Sequence, residues 1–130
     1  MKKKLFAVMS IIVIVLCTNF ISFAGVNNDN ITCMIFADES YAVSPQAEMP
    51  INKMQGTTNS VSNGYIHFYA QGRYNPNGVL CEAGDMIAVI GTTNYTNVDT
   101  YYNFYRIKLE AQSTFWGHKE CVGWGKIYEE

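Results

Sequence analysis

The side chains that could do chemistry are few and far apart. The chain has two histidines, His67 and His118, and four cysteines, Cys17, Cys33, Cys81 and Cys121. His118 and Cys121 are three positions apart, and His67 could join them. A structural zinc site needs four N or S ligands and a catalytic one three. Strand geometry turns positions i and i+3 to opposite faces. No metal site and no cofactor is therefore expected. A Cys–His nucleophile pair would draw on Cys121 or Cys81. No local signature surrounds either thiol, and neither Gly-x-Ser-x-Gly nor His-Glu-x-x-His occurs. Glu82 with Asp85, or Asp38 with Glu39, has the residue types of a glycosidase pair. The first pair reads as a turn and the second as part of a leader, so solvation accounts for both. No catalytic residue is assigned.

The aromatic side chains are more informative. Tyr101, Tyr102, Phe104 and Tyr105, with Phe115, Trp116, Trp124 and Tyr128, exceed what one small core needs. Tyr102 and Phe104 share the strand face that carries Arg106, Lys108 and Glu110. Rings on a wet face suit protein or carbohydrate recognition, whereas cross-strand ring pairing would serve the sheet alone. Tyr101, Tyr102, Phe104, Trp116 and Trp124 are the expected contact residues, for an extracellular protein, envelope polymer or glycan.

Those side chains need elements to hold them. Tyr65–Ala70 is β-branched and aromatic, with Tyr65, His67 and Tyr69 on one face and Ile66, Phe68 and Ala70 on the other. Met86–Ile90 is a continuous apolar run, expected as a strand buried on both faces. Thr100–Ala111 alternates strictly, with Tyr105, Ile107 and Leu109 inward and Tyr101 in line. Cys121–Tyr128 alternates too, with Val122, Trp124, Lys126 and Tyr128 on one face. Asn63-Gly64, Asn75-Pro76-Asn77-Gly78 and Glu82–Asp85 mark turns. Gly91–Asn97 is polar, and Ser113–Lys119 turns. The fold class expected is all-β: a small antiparallel β-sandwich or open barrel of five to seven strands, preceded by a signal-peptide helix.

The first 24 residues follow the grammar of an export signal: basic Lys2–Lys4, the apolar run Leu5–Cys17, then Ser22-Phe23-Ala24 before a cut. Cuts after Ala37 or Ala42 also fit. An uncleaved segment would be the only membrane contact. The expected division is a signal peptide at 1–24, a leader or linker at 25–54, partly removable, and a sandwich domain at 55–130. The expected location is secreted and extracellular. Removing Lys2, Lys3 and Lys4 leaves six basic against eleven acidic side chains, a formal charge of −5. That charge repels phosphate backbones and argues against nucleic acid. Aromatic content of 14% and hydrophobic content of 48% exclude a disordered chain.

Export is permissive for disulfides. Cys33, Cys81 and Cys121 allow three single pairings, and sequence does not choose among them. Cys81–Cys121 is favoured because both sit at strand entrances; free core thiols are the alternative. A bridge across that 40-residue loop would contribute about 3–4 kcal/mol in the chain-entropy picture.

Several short motifs together resemble a group of small secreted proteins of Gram-positive, often anaerobic, bacteria. They are Met1–Phe6 with its apolar run, Phe36-Ala37-Asp38-Glu39, Ser44-Pro45-Gln46-Ala47, a Thr-rich segment into Val98-Asp99, the strand through Leu109 and an aromatic turn at Trp116. The resemblance implies a small β-sandwich, no established activity and no residues to carry over. The chain departs from the group in Cys81, Cys121 and its long stretch before Asp38. The expected function is non-enzymatic surface binding. A small hydrolase or thiol enzyme using Cys121 and His118, or a bacteriocin-like or toxin-like effector, is the alternative.

Overall fold

A computed structural model describes residues 25–26, 29–113 and 120–130. The signal-peptide expectation, Trp116 and His118 lie outside these residues. In chain order the strands are β1 (Gly25–Val26), β2 (Asn30–Ile35), β3 (Tyr41–Val43), β4 (Ala47–Glu48), β5 (Lys53–Thr58), β6 (Gly64–Arg73), β7 (Cys81–Ala88), β8 (Thr92–Asn97), β9 (Phe104–Ser113) and β10 (Gly123–Tyr128).

Every pairing is antiparallel, and the strands form two sheets. The first has the order β1-β2-β10-β5-β8; the second has β3-β9-β6-β7, with β4 also on β9. Consecutive strands repeatedly change sheet. Counting β3 and β4 as one interrupted strand, this is the wrapping order of a jelly roll. The interruption falls at Ser44-Pro45, where a proline cannot donate to the ladder. Ser44 repairs the gap: its N–H donates to the Ile107 carbonyl at 2.9 Å, and its hydroxyl oxygen accepts from the Ile107 N–H at 2.9 Å.

Alternation places the core between the sheets. Ile66, Phe68 and Ala70 of β6 meet Ile31, Cys33 and Ile35 of β2, Met54 of β5, Tyr105, Ile107 and Leu109 of β9, and Ile127 of β10. The largest inward ring on β6, Phe68, needs unusual room. It lies against Gly56 and Gly125 of the facing sheet, where an added Cβ would come within 2.7 and 2.8 Å of the ring. Two bare backbones thus form the hollow that accepts one ring.

Four expectations change here. Residues 25–54 are not a passive leader: they supply β1 to β4, and Ile31, Cys33, Ile35 and Ile51 are core residues. Met86–Ile90 is not buried on both faces. Ile87 is on the uncovered outer face of β7, and Val89 and Ile90 lie beyond its end at Ala88, so all three are exposed. Glu82–Asp85 is strand with a bulge rather than a turn, since Ala70 pairs with Gly84 but Gln71 with Glu82. The polar stretch Thr92–Asn97 forms an edge strand of the first sheet, paired along its length with β5.

The Cys81–Cys121 bridge is also corrected. Cys81 pairs with Gly72 at one end of β6. Cys121 lies at the other end, its Sγ 3.6 Å from the Tyr65 carbonyl. Seven strand residues separate those points, about 23 Å at ~3.3 Å per residue, whereas a disulfide needs Cα atoms within about 7 Å. No disulfide joins Cys81 to Cys121, and Cys33 and Cys81 are free thiols.

A chain cut after Ala37 would lose β2, and with it Ile31 and Ile35. Those two side chains alone contribute about 3–6 kcal/mol of burial, a large share of ordinary domain stability. A chain starting at Asp38 is expected to show no cooperative thermal transition and a collapsed amide spectrum, whereas one starting at Gly25 shows both a transition and good dispersion. Calorimetry and an amide NMR spectrum of the two chains check this.

Candidate functional site

The site is built at the end of the sandwich where β6 finishes and β9 begins. Alternation stops at Phe104, and residues 99–103 cross that end as a loop held by backbone and by one ring. The Asp99 N–H donates to the Ala83 carbonyl at 2.7 Å, and the Asn103 N–H to the Arg73 carbonyl at 3.1 Å. Tyr105 is 1% exposed. Its hydroxyl donates to the Asp99 carbonyl at 2.6 Å and accepts the Tyr102 N–H at 3.3 Å. A core residue therefore holds the loop that leads into its own strand.

Tyr102 packs inward from that loop. Its ring lies where a Cβ on Gly72 would be, within 2.3 Å of its Cδ2, so only glycine fits beneath it. The ring packs against Tyr74 at 5.1 Å and edge-on to Tyr105 at 6.1 Å between centroids. Its hydroxyl stays above the usual tyrosine range, because it donates to the Cys81 sulfur and because it is partly desolvated. Tyr101 and Tyr74 remain open, 74% and 58% exposed. Beside them is a shallow cleft of about 350 Å³, lined by Glu48, Met49, Pro50, Thr100, Tyr102 and Asn103.

The expected contact residues are thus separated. Tyr102 lines the cleft, and Tyr101 lies beside it between the lining residues Thr100 and Tyr102. Tyr102 is not on the wet face, because the backbone leaves the strand before Phe104 and the strand parity no longer applies. Tyr101 is not in line with the core for the same reason. Phe104 is half-buried on the outer face of β9, across from Glu48 and Arg73. Trp124 is on the outer face of the other sheet, across from Met34 and Thr57. Tyr74 was not singled out by sequence. Its place beside a turn signal at 75–78 gave no hint that the turn folds back toward residue 102.

Two further arrangements were not legible. His67, Tyr69 and Asp85 form a hydrogen-bonded row on the outer face: Asp85 Oδ2 lies 2.7 Å from His67 Nε2, and the Tyr69 hydroxyl 2.8 Å from His67 Nδ1. In the neutral ring the carboxylate holds the proton on Nε2, leaving Nδ1 to accept from Tyr69. Tyr69 is itself held above its usual range, by burial first and by Glu110, Glu82 and Asp85 next. It is therefore a hydroxyl donor and not a phenolate nucleophile. Arg73 and Arg106 are the second arrangement, treated below.

No group of three or more His, Cys, Asp or Glu that could hold a metal ion occurs among the described residues. Cys121 has no exposed surface. Burial pushes the Cys33 thiol up to about 11.

No family model matches the chain, and no curated protein matches it in sequence. Solved structures match its shape. PirA aligns with a TM-score of 0.52 at 10% identity over 80% of this chain and 96% of that one. A Yersinia pseudotuberculosis-derived mitogen aligns at 0.43 and 9% over 75% and 80% of the two chains. TmCBM61, in complex with beta-1,4-galactotriose, aligns at 0.37 and 11% over 78% and 61%. At these identities the likeness to PirA concerns the fold alone, and the other two scores carry no further argument.

The thiols give a direct check on this geometry. Cys81 is half-buried at the rim, whereas Cys33 and Cys121 are 2% and 0% exposed. Brief treatment of native protein with a maleimide should add mass at Cys81, and at Cys33 and Cys121 only after denaturation. Peptide mapping by mass spectrometry reads the result.

Proposed function

We propose that the protein is a secreted, non-enzymatic binding module whose contact surface is the tyrosine cleft at the loop end. One observation carries the reading: Tyr101 and Tyr74 hold 74% and 58% of their surface open beside a cleft of about 350 Å³. That volume is at the lower end of ordinary ligand sites. Neither ring is needed for the core, which closes at Tyr102 and Tyr105.

The lining favours a glycan. Tyrosine faces cover the apolar side of a sugar ring, while Thr100, Asn103 and the Glu48 carboxylate are placed for its hydroxyls. The loop is fixed beforehand, so little ordering cost falls on binding. A protein partner would need more surface than this cleft provides. Export rests on the basic and apolar start of the chain.

The experiment is a glycan and envelope-polymer array, followed by titration of the best oligosaccharide. Tyr101→Ala and Tyr74→Ala should each weaken binding about tenfold or more with the thermal midpoint little changed. Tyr102→Ala should behave differently, destabilising the fold by about 1–3 kcal/mol, because its ring fills the space over Gly72. Undiminished binding in both exposed-tyrosine variants would exclude the cleft.

A further inference from the structure

The chain has only two arginines, and the fold brings them together. Arg73 ends β6 and Arg106 lies in β9. Arg73 pairs with Phe104 and Gln71 with Arg106, so the arginines are diagonal neighbours on the outer face. Cα atoms at such positions are about 7–8 Å apart. Both side chains are half-buried.

Their partners are all neutral. Arg106 Nε donates to Gln71 Oε1 at 2.8 Å, and Arg73 Nη1 to the Pro76 carbonyl at 3.2 Å. Arg73 Nε is buried without a partner. Among the described residues the ion pairs are Lys53–Glu130, His67–Asp85 and Lys108–Glu110, and none includes an arginine. Glu82 and Glu48 are each one strand further out, across from Gln71 and Phe104. Burial, and then the Arg73 charge, lowers the Arg106 pKa, as expected for two cations crowded in a partly dry place. In a protein that is otherwise acidic, the local fields of these two groups point at something outside the chain.

We propose that Arg73 and Arg106 together bind an oxyanion of an acidic polysaccharide, a uronate carboxylate or a sulfate ester. Planar guanidinium forks match both groups bidentately, and the Gln71 amide lies between the arginines. A polysaccharide is favoured because the site adjoins the cleft. Phe104 pairs with Glu48, which lines the cleft, on one side and with Arg73 on the other. A chain seated on Tyr101 and Tyr74 therefore meets the arginines as it crosses Phe104. The carboxylate of Glu48 favours a neutral unit in the cleft and leaves the charged one to the arginine pair. This assignment rests on the glycan reading of the cleft.

The test is calorimetric titration of the full chain with hexasaccharides of equal length: oligogalacturonate, a sulfated oligomer and a neutral oligogalactose. Hexaglutamate serves as the non-sugar polyanion. One or both acidic oligosaccharides should bind at least about tenfold more tightly than the neutral one, and the better of the two names the oxyanion. Arg73→Gln and Arg106→Gln should each abolish that preference while leaving the neutral oligomer's affinity unchanged. If Arg106→Gln fails to fold, Arg106→Lys takes its place and should reduce the preference by about threefold or more, having lost the fork but kept the charge. Equal affinity for acidic and neutral oligomers, or a preference unaffected by the substitutions, overturns the proposal. Tighter binding of hexaglutamate than of any sugar overturns the polysaccharide assignment. Arginine-dependent binding that is indifferent to Tyr101→Ala and Tyr74→Ala upholds the anion site and overturns the cleft instead.

Discussion

The hydroxyl of Tyr105 ties the interior of the sandwich to its loop end. The ring belongs to the core, and its oxygen donates to the Asp99 carbonyl and accepts from the Tyr102 N–H. A loop of five residues would otherwise have unpaired polar backbone near the core and the freedom that goes with it. Here the loop is held by a group that cannot move without disturbing β9. The hold depends in turn on how closely the sheets approach. Phe68 sets that distance by occupying the hollow over Gly56 and Gly125. Gly72 repeats the device at the rim, where its bare backbone lets Tyr102 lie flat. Backbone without side chains therefore acts twice, once to close the core and once to seat the ring that borders the cleft.

This arrangement suits the contact role proposed for the loop end. Its open groups are rings, hydroxyls and amides fixed in advance. The hydrogen-bonded row of Tyr69, His67 and Asp85 points the same way: it orients an imidazole and keeps a phenol protonated on an open sheet face. The row stiffens the junction of β6 and β7. The remaining charges follow the sheet faces. Lys108 lies over the rings of Tyr41 and Tyr69 and pairs with Glu110, so it is already satisfied. The arginines have only neutral partners and no ion pair among the described residues, and the proposed oxyanion site rests on that contrast.

Much of the fold was legible where one face of a strand is wet. β6, β9 and β10 alternate cleanly, and their residues divide between two faces as expected. β2 alternates as well, and the apolar run Ile31–Phe36 is legible as a possible first strand, but the proline-bearing stretch behind it separates that run from the patterned domain and hides that it belongs to the core. That stretch is the interrupted strand pair β3 and β4, whose one buried polar residue, Ser44, carries no periodic signal. β8 was hidden for the opposite reason. As an edge it is polar on almost every residue, and only its pairing to β5 makes it a strand. The continuous apolar run Met86–Ile90 misled because the strand ends at Ala88 and no described layer covers its outer face, leaving Ile87, Val89 and Ile90 exposed. The site was legible in part. Tyr101 and Tyr102 stood out as surplus rings, but parity fails where the strand ends, so the sides they face could not be read. The cysteine pairing failed because spacing along the chain says nothing of position along a strand, and β6 separates the two thiols by most of its length. The arginine pair, 33 positions apart, is visible only through the register of β6 on β9.

The central claim is that the loop end is pre-formed, held by one buried hydroxyl before any partner arrives. Amide hydrogen exchange at Tyr102 tests it most directly. That N–H lies outside every described strand, and its partner among the described residues is the Tyr105 hydroxyl. The account predicts protection comparable to that of the Ile107 amide in β9. Exchange within a few-fold of the rate of an unstructured peptide would show a loop that is free until bound, and would contradict it.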